Sequence, residues 1–175
     1  MPKPNRMMQR TIVQALLALV TAFTDPVRAD GELALAHQIL DQLDQHATVL
    51  YARVAALVRD AGTDRDVTHR VTVLHTEATT AGPPWSIPLL ETVLAFHHAV
   101  RDAHADLGAT LNRLRETTAN GDFAYYVNIA AAMGGLPRPT GPAIRWLDSE
   151  ATARTRWRAL IAARQRHLRG ADQRR

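Results

Sequence analysis

The chain contains no cysteine among its 175 residues, so disulfides, thiolate metal sites and a cysteine nucleophile are all excluded. Aromatic residues make up only 5% and lysine occurs once, whereas alanine and arginine are abundant. Strands favour aromatic and β-branched residues, and helices favour alanine. The composition therefore predicts an all-α protein. Because 46% of the residues are hydrophobic, the chain can bury a core of one domain's size, and wholesale disorder is excluded.

No apolar run is long enough to cross a bilayer. The most apolar stretch, residues 11–23, covers 13 residues, whereas a transmembrane helix needs roughly 20. With the basic residues before it, this stretch also has the pattern of a signal peptide cleaved after Ala29. Its large apolar side chains recur at helical spacing, namely Val13, Leu16, Val20 and Phe23. A packed helix needs such a face and a signal peptide does not, so we predict a cytoplasmic protein, with secretion as the alternative.

Caps and turn-forming residues divide the chain into five to six predicted helices. Two are long, over residues 30–61 and 86–118, and each carries apolar residues in a heptad seam. Asp30 is the expected N-cap of the first, and Gly62 is its expected C-terminal stop. Shorter helices are predicted over residues 6–23, 63–81, 123–133 and 143–169. Two long helices joined by a mid-length excursion predict an antiparallel helical bundle, and they could equally form part of a homodimer seam.

Charge is distributed unevenly along the chain. Residues 13–137 carry 8 basic against 14 acidic residues, a net charge of −6, whereas residues 138–175 carry 10 basic against 3 acidic residues, a net charge of +7. We therefore predict an acidic helical body over residues 1–137. A Pro-rich link and a basic amphipathic helix follow over residues 138–175, packed on the same domain. This asymmetry indicates an anionic partner for the C-terminal segment.

The predicted C-terminal helix carries apolar and basic residues on opposite sides. Its arginines, together with the arginines of the tail, form a candidate surface for nucleic-acid phosphates or another anionic partner: Arg154, Arg158, Arg166, Arg169, Arg174 and Arg175. No asparagine or glutamine beside this row is placed to read base edges, so such binding would be independent of nucleotide sequence. The alternative is a helix docked on the core whose solvated side is rich in arginine.

His97 and His104 lie one heptad apart on the seam of the second long helix and are the candidate metal ligands. Two helical turns place them roughly 10.5 Å apart, so one metal ion cannot bind both directly. No Glu-x-x-His, His-x-x-x-His or His-Glu-x-x-His pattern accompanies them. The favoured alternative is a core imidazole that is hydrogen-bonded to a backbone carbonyl or to a serine or threonine hydroxyl.

The common catalytic patterns are missing from the sequence. It contains no phosphate-binding loop and no Gly-x-Ser-x-Gly, and serine occurs only at Ser86 and Ser149. We therefore predict no catalytic residues and no cofactor. The leading hypothesis is a non-enzymatic interaction or regulatory protein that acts through helix-mediated contacts, with a protein partner or as a homo-oligomer. The first alternative is a sequence-nonspecific nucleic-acid-binding accessory protein, and the second is a metal-binding bundle enzyme around His97 and His104.

Overall fold

A computed structural model describes residues 6–40, 46–63, 66–119, 123–136 and 150–174. Within these ranges the chain is all-helical, as predicted. The described helices number eight rather than five to six: α1 (Arg6–Thr24), α2 (Pro26–Leu40), α3 (His46–Asp60), α4 (Val67–Ala81), α5 (Ser86–Val100), α6 (His104–Thr117), α7 (Tyr125–Met133) and α8 (Glu150–Asp172). They belong to two compact units, residues 1–60 and 61–175.

None of the described helices combines the length and the hydropathy that crossing a membrane requires. Ala29, after which the alternative cleavage is predicted, lies buried within α2. The choice between a cytoplasmic and a secreted protein stays a prediction.

The first unit is formed by α1, α2 and α3, each of which packs against the other two. α2 begins at Pro26, four residues before the predicted start at Asp30. Asp25 caps it instead, because its carboxylate accepts a hydrogen bond from the backbone N–H of Arg28 at 3.0 Å. Proline suits the first position of a helix, where its missing N–H has no partner to lose. The predicted N-cap at Asp30 is therefore wrong, and Asp30 lies within the helix.

The long helix predicted over residues 30–61 is divided into α2 and α3. α3 packs on α2, so the two halves lie side by side. α1 has only 19 residues, too few to cover one straight helix of the predicted length. Folding back lets both halves bury apolar residues against α1. Residues 41–45, which join α2 to α3, lie outside the described residues.

α5 is the centre of the second unit, and α4, α6, α7 and α8 all pack against it. Its sequence, SIPLLETVLAFHHAV, is apolar on nearly every side. A helix of this kind is buried on all sides, because no face of it is suited to water. Accordingly, 12 of its 15 residues are buried. The basic helix α8 packs on α5 and α7 in this same unit, while the charge-based boundary near residue 137 stays a prediction.

The helix predicted over residues 86–118 is also divided, into α5 and α6. Asp102 has a φ of 59°, which lies in the left-handed region and is incompatible with a continuing α-helix. Gln165 of α8 donates a hydrogen bond to the Val100 carbonyl at 3.0 Å. This bond satisfies one of the carbonyls that the end of α5 leaves free. The turn therefore changes the direction of the chain between His97 and His104.

The shorter helices lie close to their predicted positions. α4 and α7 begin a few residues later than predicted and end where the sequence indicates. Gly135, with a φ of 66°, follows α7 as the expected helix stop. Residues 143–149, the predicted first part of the last helix, lie outside the described residues.

Glu91 places a buried carboxylate in the middle of α5. Arg113 of α6 pairs with it at 3.2 Å, and His75 of α4 lies 3.7 Å away. Arg113 also donates a hydrogen bond to the Thr110 hydroxyl at 3.0 Å. The ion pair therefore links α6 to the central helix, and His75 brings α4 to the same carboxylate.

Replacing Arg113 with alanine is expected to lower the free energy of unfolding of the second unit by about 2 kcal/mol, because Glu91 is left as a buried charge. The effect stays moderate because the Arg113 side chain is 48% exposed and His75 remains close. Urea denaturation followed by tryptophan fluorescence measures it, since all three tryptophans lie in residues 61–175. Arg115→Ala, at an exposed position of α6, is the matched control and should change the value by less than about 0.5 kcal/mol. Equal losses in the two variants would contradict a role for the ion pair.

Candidate functional site

His97 is a buried residue in the last turn of α5. Its Nδ1 accepts a hydrogen bond from the backbone N–H of Gly62 at 3.1 Å. Since a backbone amide only donates, Nδ1 is unprotonated and the neutral ring carries its proton on Nε2. Burial lowers the pKa of His97 to about 4, the charges of His98 and Arg101 act in the same direction, and Asp66 opposes them. At neutral pH His97 is therefore uncharged and holds the turn at Gly62 against α5.

A cavity of about 350 Å³ lies beside His97, where the start of α4, the end of α5 and the start of α6 meet. Its polar lining consists of Asp66, Thr68, His97, His98, Arg101 and Asp106. With Nδ1 engaged by Gly62, the Nε2 of His97 carries a proton and is a hydrogen-bond donor rather than a metal ligand. Across the described ranges, no three histidine or acidic side chains form a group that could hold a metal ion.

His104 is the first residue of α6 and is exposed to solvent. Its Nε2 lies 3.2 Å from a carboxylate oxygen of Asp102. Because the chain turns at Asp102, His97 and His104 do not share the seam of one helix, where the metal hypothesis places them. That hypothesis stays a prediction, and the described geometry adds no support to it.

One side of α8 is packed on the second unit. Trp157 meets Phe96 edge to face, with 6.2 Å between ring centroids, and Ile161 is buried. Arg164 is also buried, and its guanidinium carbon lies 5.5 Å from the centre of the Phe96 ring. This distance is that of a cation–π contact. Arg164 therefore belongs to the packed side of α8, although it is an arginine.

The predicted arginine row lies mainly on the solvent side of α8. Four of its members are exposed: Arg158, Arg166, Arg169 and Arg174. Arg154 is half-buried, and Arg175 lies outside the described residues. The structure thus brings Arg154, Arg158, Arg166 and Arg169 together on one docked helix, and Arg174 follows the end of that helix.

The exposed side of α1 is apolar. Val13 and Val20 are 63% and 61% exposed, and Leu16 and Leu17 are also open to solvent. The buried side carries the small residues Ala15, Ala18 and Ala22, together with Leu19 and Thr21. Of the four large residues predicted to pack in the core, Val13, Leu16 and Val20 therefore point outward instead, and Phe23 is half-buried. The reason is that alanine lets helix axes approach closely, and helical spacing does not reveal which of two apolar sides is buried.

α2 continues this apolar surface. Val27 is 66% exposed, and Leu35, two turns later, is exposed too. Gly31 lies between them, with open space where a side chain would stand. We define the α1/α2 apolar face by these residues and those of α1: Val13, Leu16, Leu17, Val20, Val27, Gly31 and Leu35.

A hydrogen bond shows that the two helices present these residues to the same side. Gln14 of α1 donates to the Glu32 carboxylate of α2 at 2.6 Å. At 100° per residue, Gln14 lies about 60° from Leu17 on α1, and Glu32 lies about 60° from Leu35 on α2, with Arg28 between them. The bond therefore joins the two helices next to their exposed sides. The face carries no charged residue, and Arg28 at its border pairs with Glu32 at 3.6 Å.

The sequence did contain a signal for this face that the pattern analysis missed. Residues 13–22 carry two apolar sides, one large and one rich in alanine, so a single core cannot bury both.

No family model, no curated protein and no solved structure matches the chain.

Proposed function

We propose that the chain is a non-enzymatic interaction protein that binds a helix of another protein chain through the α1/α2 apolar face. The observation that carries the proposal is the outward position of Val13, Val20 and Val27, each more than 60% exposed. The exposed fractions of its residues give the face on the order of 500 Å² of apolar area. This area is in the range of the largest apolar patches on monomeric proteins, which are often functional.

The chemistry of the face selects the class of partner. It contains no charge, and its residues on α1 are spaced three and four apart, as in helix-to-helix contacts. At roughly 25 cal/mol per Å², burying this area contributes on the order of 12 kcal/mol before the entropy lost on association is subtracted. An uncharged amphipathic helix supplies the complementary surface.

Photo-crosslinking tests the proposal. The full chain with p-benzoylphenylalanine in place of Val20 is irradiated, both as purified protein and in cell extract, and adducts are identified by mass spectrometry. The matched control carries the same group in place of Val73, an exposed valine of α4. We expect a defined protein adduct from position 20 only, and its loss when Gly31→Arg is added. Absence of any adduct, or the same adducts from both positions, would contradict the proposal.

A second candidate function is sequence-nonspecific nucleic-acid binding by α8. It is favoured by the exposed Arg158, Arg166 and Arg169, because the packed side of α8 holds them in a row on a folded unit. Phosphate contacts require only such a row of cations and no reading of bases.

Salt dependence measures this activity. In fluorescence titrations of labelled duplex DNA, four to six phosphate contacts predict a log–log slope of roughly −4 to −5. Replacing Arg158 and Arg166 with alanine should reduce the slope by about two, while Arg115→Ala on α6 leaves it unchanged. Both arginines of the double variant are exposed, so the fold should be retained. Lack of DNA binding at micromolar protein concentration would contradict this candidate function. Binding that does not depend on salt would indicate a protein partner instead.

A further inference from the structure

We propose that the partner of the α1/α2 apolar face is the same face of a second copy of this chain. Two α1–α2 pairs would then stack about a two-fold axis and form a four-helix interface. The inference rests on the proposed function and names its partner.

The residue pattern of α1 fits association with another helix. Taken as a heptad, Val13 and Val20 occupy the a positions and Leu16 occupies the intervening d position. Apolar residues at a and d form the seam through which one helix packs against another. Because the small residues of α1 pack inside the first unit, this seam is left for a contact with another chain.

The size of the face matches what a dimer needs. A standard interface buries about 800 Å² on each partner, of which somewhat more than half is apolar. The exposed side chains of the face provide on the order of 500 Å² of apolar area. A copy of the same face therefore supplies the apolar area that such an interface requires.

Charge and shape also suit an identical partner. A charged helix would bury unpaired charges against the face, whereas the face itself is neutral and Arg28 is already paired with Glu32. Gly31 leaves open space between Val27 and Leu35, so a second helix can approach the α2 backbone closely. A copy of the chain has both properties, and it is present wherever the protein is.

Size-exclusion chromatography with light scattering on the full chain tests the inference. We expect a mass twice that of the 19.3 kDa chain at micromolar concentration. Gly31→Arg should weaken the dimer at least a hundredfold in Kd, because it places a charge in an apolar interface. It should leave the helix content unchanged, since nothing stands within 4 Å of the new Cβ. Gly108→Arg is the matched control, a helical glycine of α6 with the same open surroundings, and should remain dimeric.

The outcomes separate the inference from the function on which it rests. A monomer at every concentration, or a dimer that persists in Gly31→Arg, overturns the inference. A monomer that is crosslinked from position 20 to a different protein also overturns it, but leaves the proposed function standing. A monomer that yields no protein adduct and binds phosphatidylcholine vesicles through α1 overturns both.

Discussion

Replacing Gly62 with alanine is expected to lower the free energy of unfolding of the second unit by about 3 kcal/mol, through backbone strain and overpacking together. Gly62 has a φ of 83°, a conformation that residues with a Cβ rarely adopt. A Cβ there would overlap Val100 of α5 and lie 2.7 Å from Leu168 Cδ1 of α8. Valine is stiff at χ1 and has little room to turn away. The same turn also donates the hydrogen bond to His97, so strain at Gly62 weakens two contacts with α5.

Urea denaturation followed by tryptophan fluorescence is the measurement, because the first unit contains no tryptophan. Gly108→Ala is the control for the general effect of replacing a glycine with alanine. Its Cβ would meet nothing within 4 Å, so alanine should stabilise α6 by about 0.5–1 kcal/mol. If Gly62→Ala lowers the free energy of unfolding by less than about 1 kcal/mol, the side chains of Val100 and Leu168 move aside for the new Cβ. That result would contradict overpacking as the cause of the destabilisation.

Acid is expected to weaken the second unit through His97. Burial lowers its pKa from 6.5, the ordinary value of histidine, to about 4 in the folded protein, so folding favours the neutral ring. The contribution of the neutral ring to the free energy of unfolding is fully present above pH 6.5 and is lost as the pH falls through 4. The total loss is about 3 kcal/mol. Physically, protonation of Nδ1 removes the acceptor for the Gly62 N–H and places a charge in a buried site.

The pH dependence of unfolding identifies the contribution of His97. His97→Asn keeps an acceptor oxygen near the position of Nδ1 but does not titrate, so its stability should fall less steeply between pH 6.5 and 4. Some slope remains, because burial lowers the pKa of His98 as well. His104→Asn, at an exposed site, should follow the unmodified chain. Parallel curves for the unmodified chain and His97→Asn would contradict the assignment.

Local chemistry in the sequence was enough to determine the helical class and several helix ends. Gly62 and Gly135 stop helices as predicted, because few other residues accept a positive φ. The Gly-Pro-Pro segment after α4 ends it where the sequence indicates, since proline has no N–H to continue a helix. These features depend on a few neighbouring residues, so no knowledge of the fold is required to predict them.

The candidate site depended on packing that the sequence does not contain. Helical periodicity finds the apolar arcs of a helix but not the neighbour that each arc meets. For this reason the large stripe of α1 was predicted to be buried, although the alanine side packs and Val13 and Val20 face solvent. The turn at Asp102 separates two histidines that one continuous helix would have aligned. Likewise, Arg164 is buried only because α8 lies over the Phe96 ring. Only the tertiary structure decides such cases, because burial is a property of the pair of surfaces that meet.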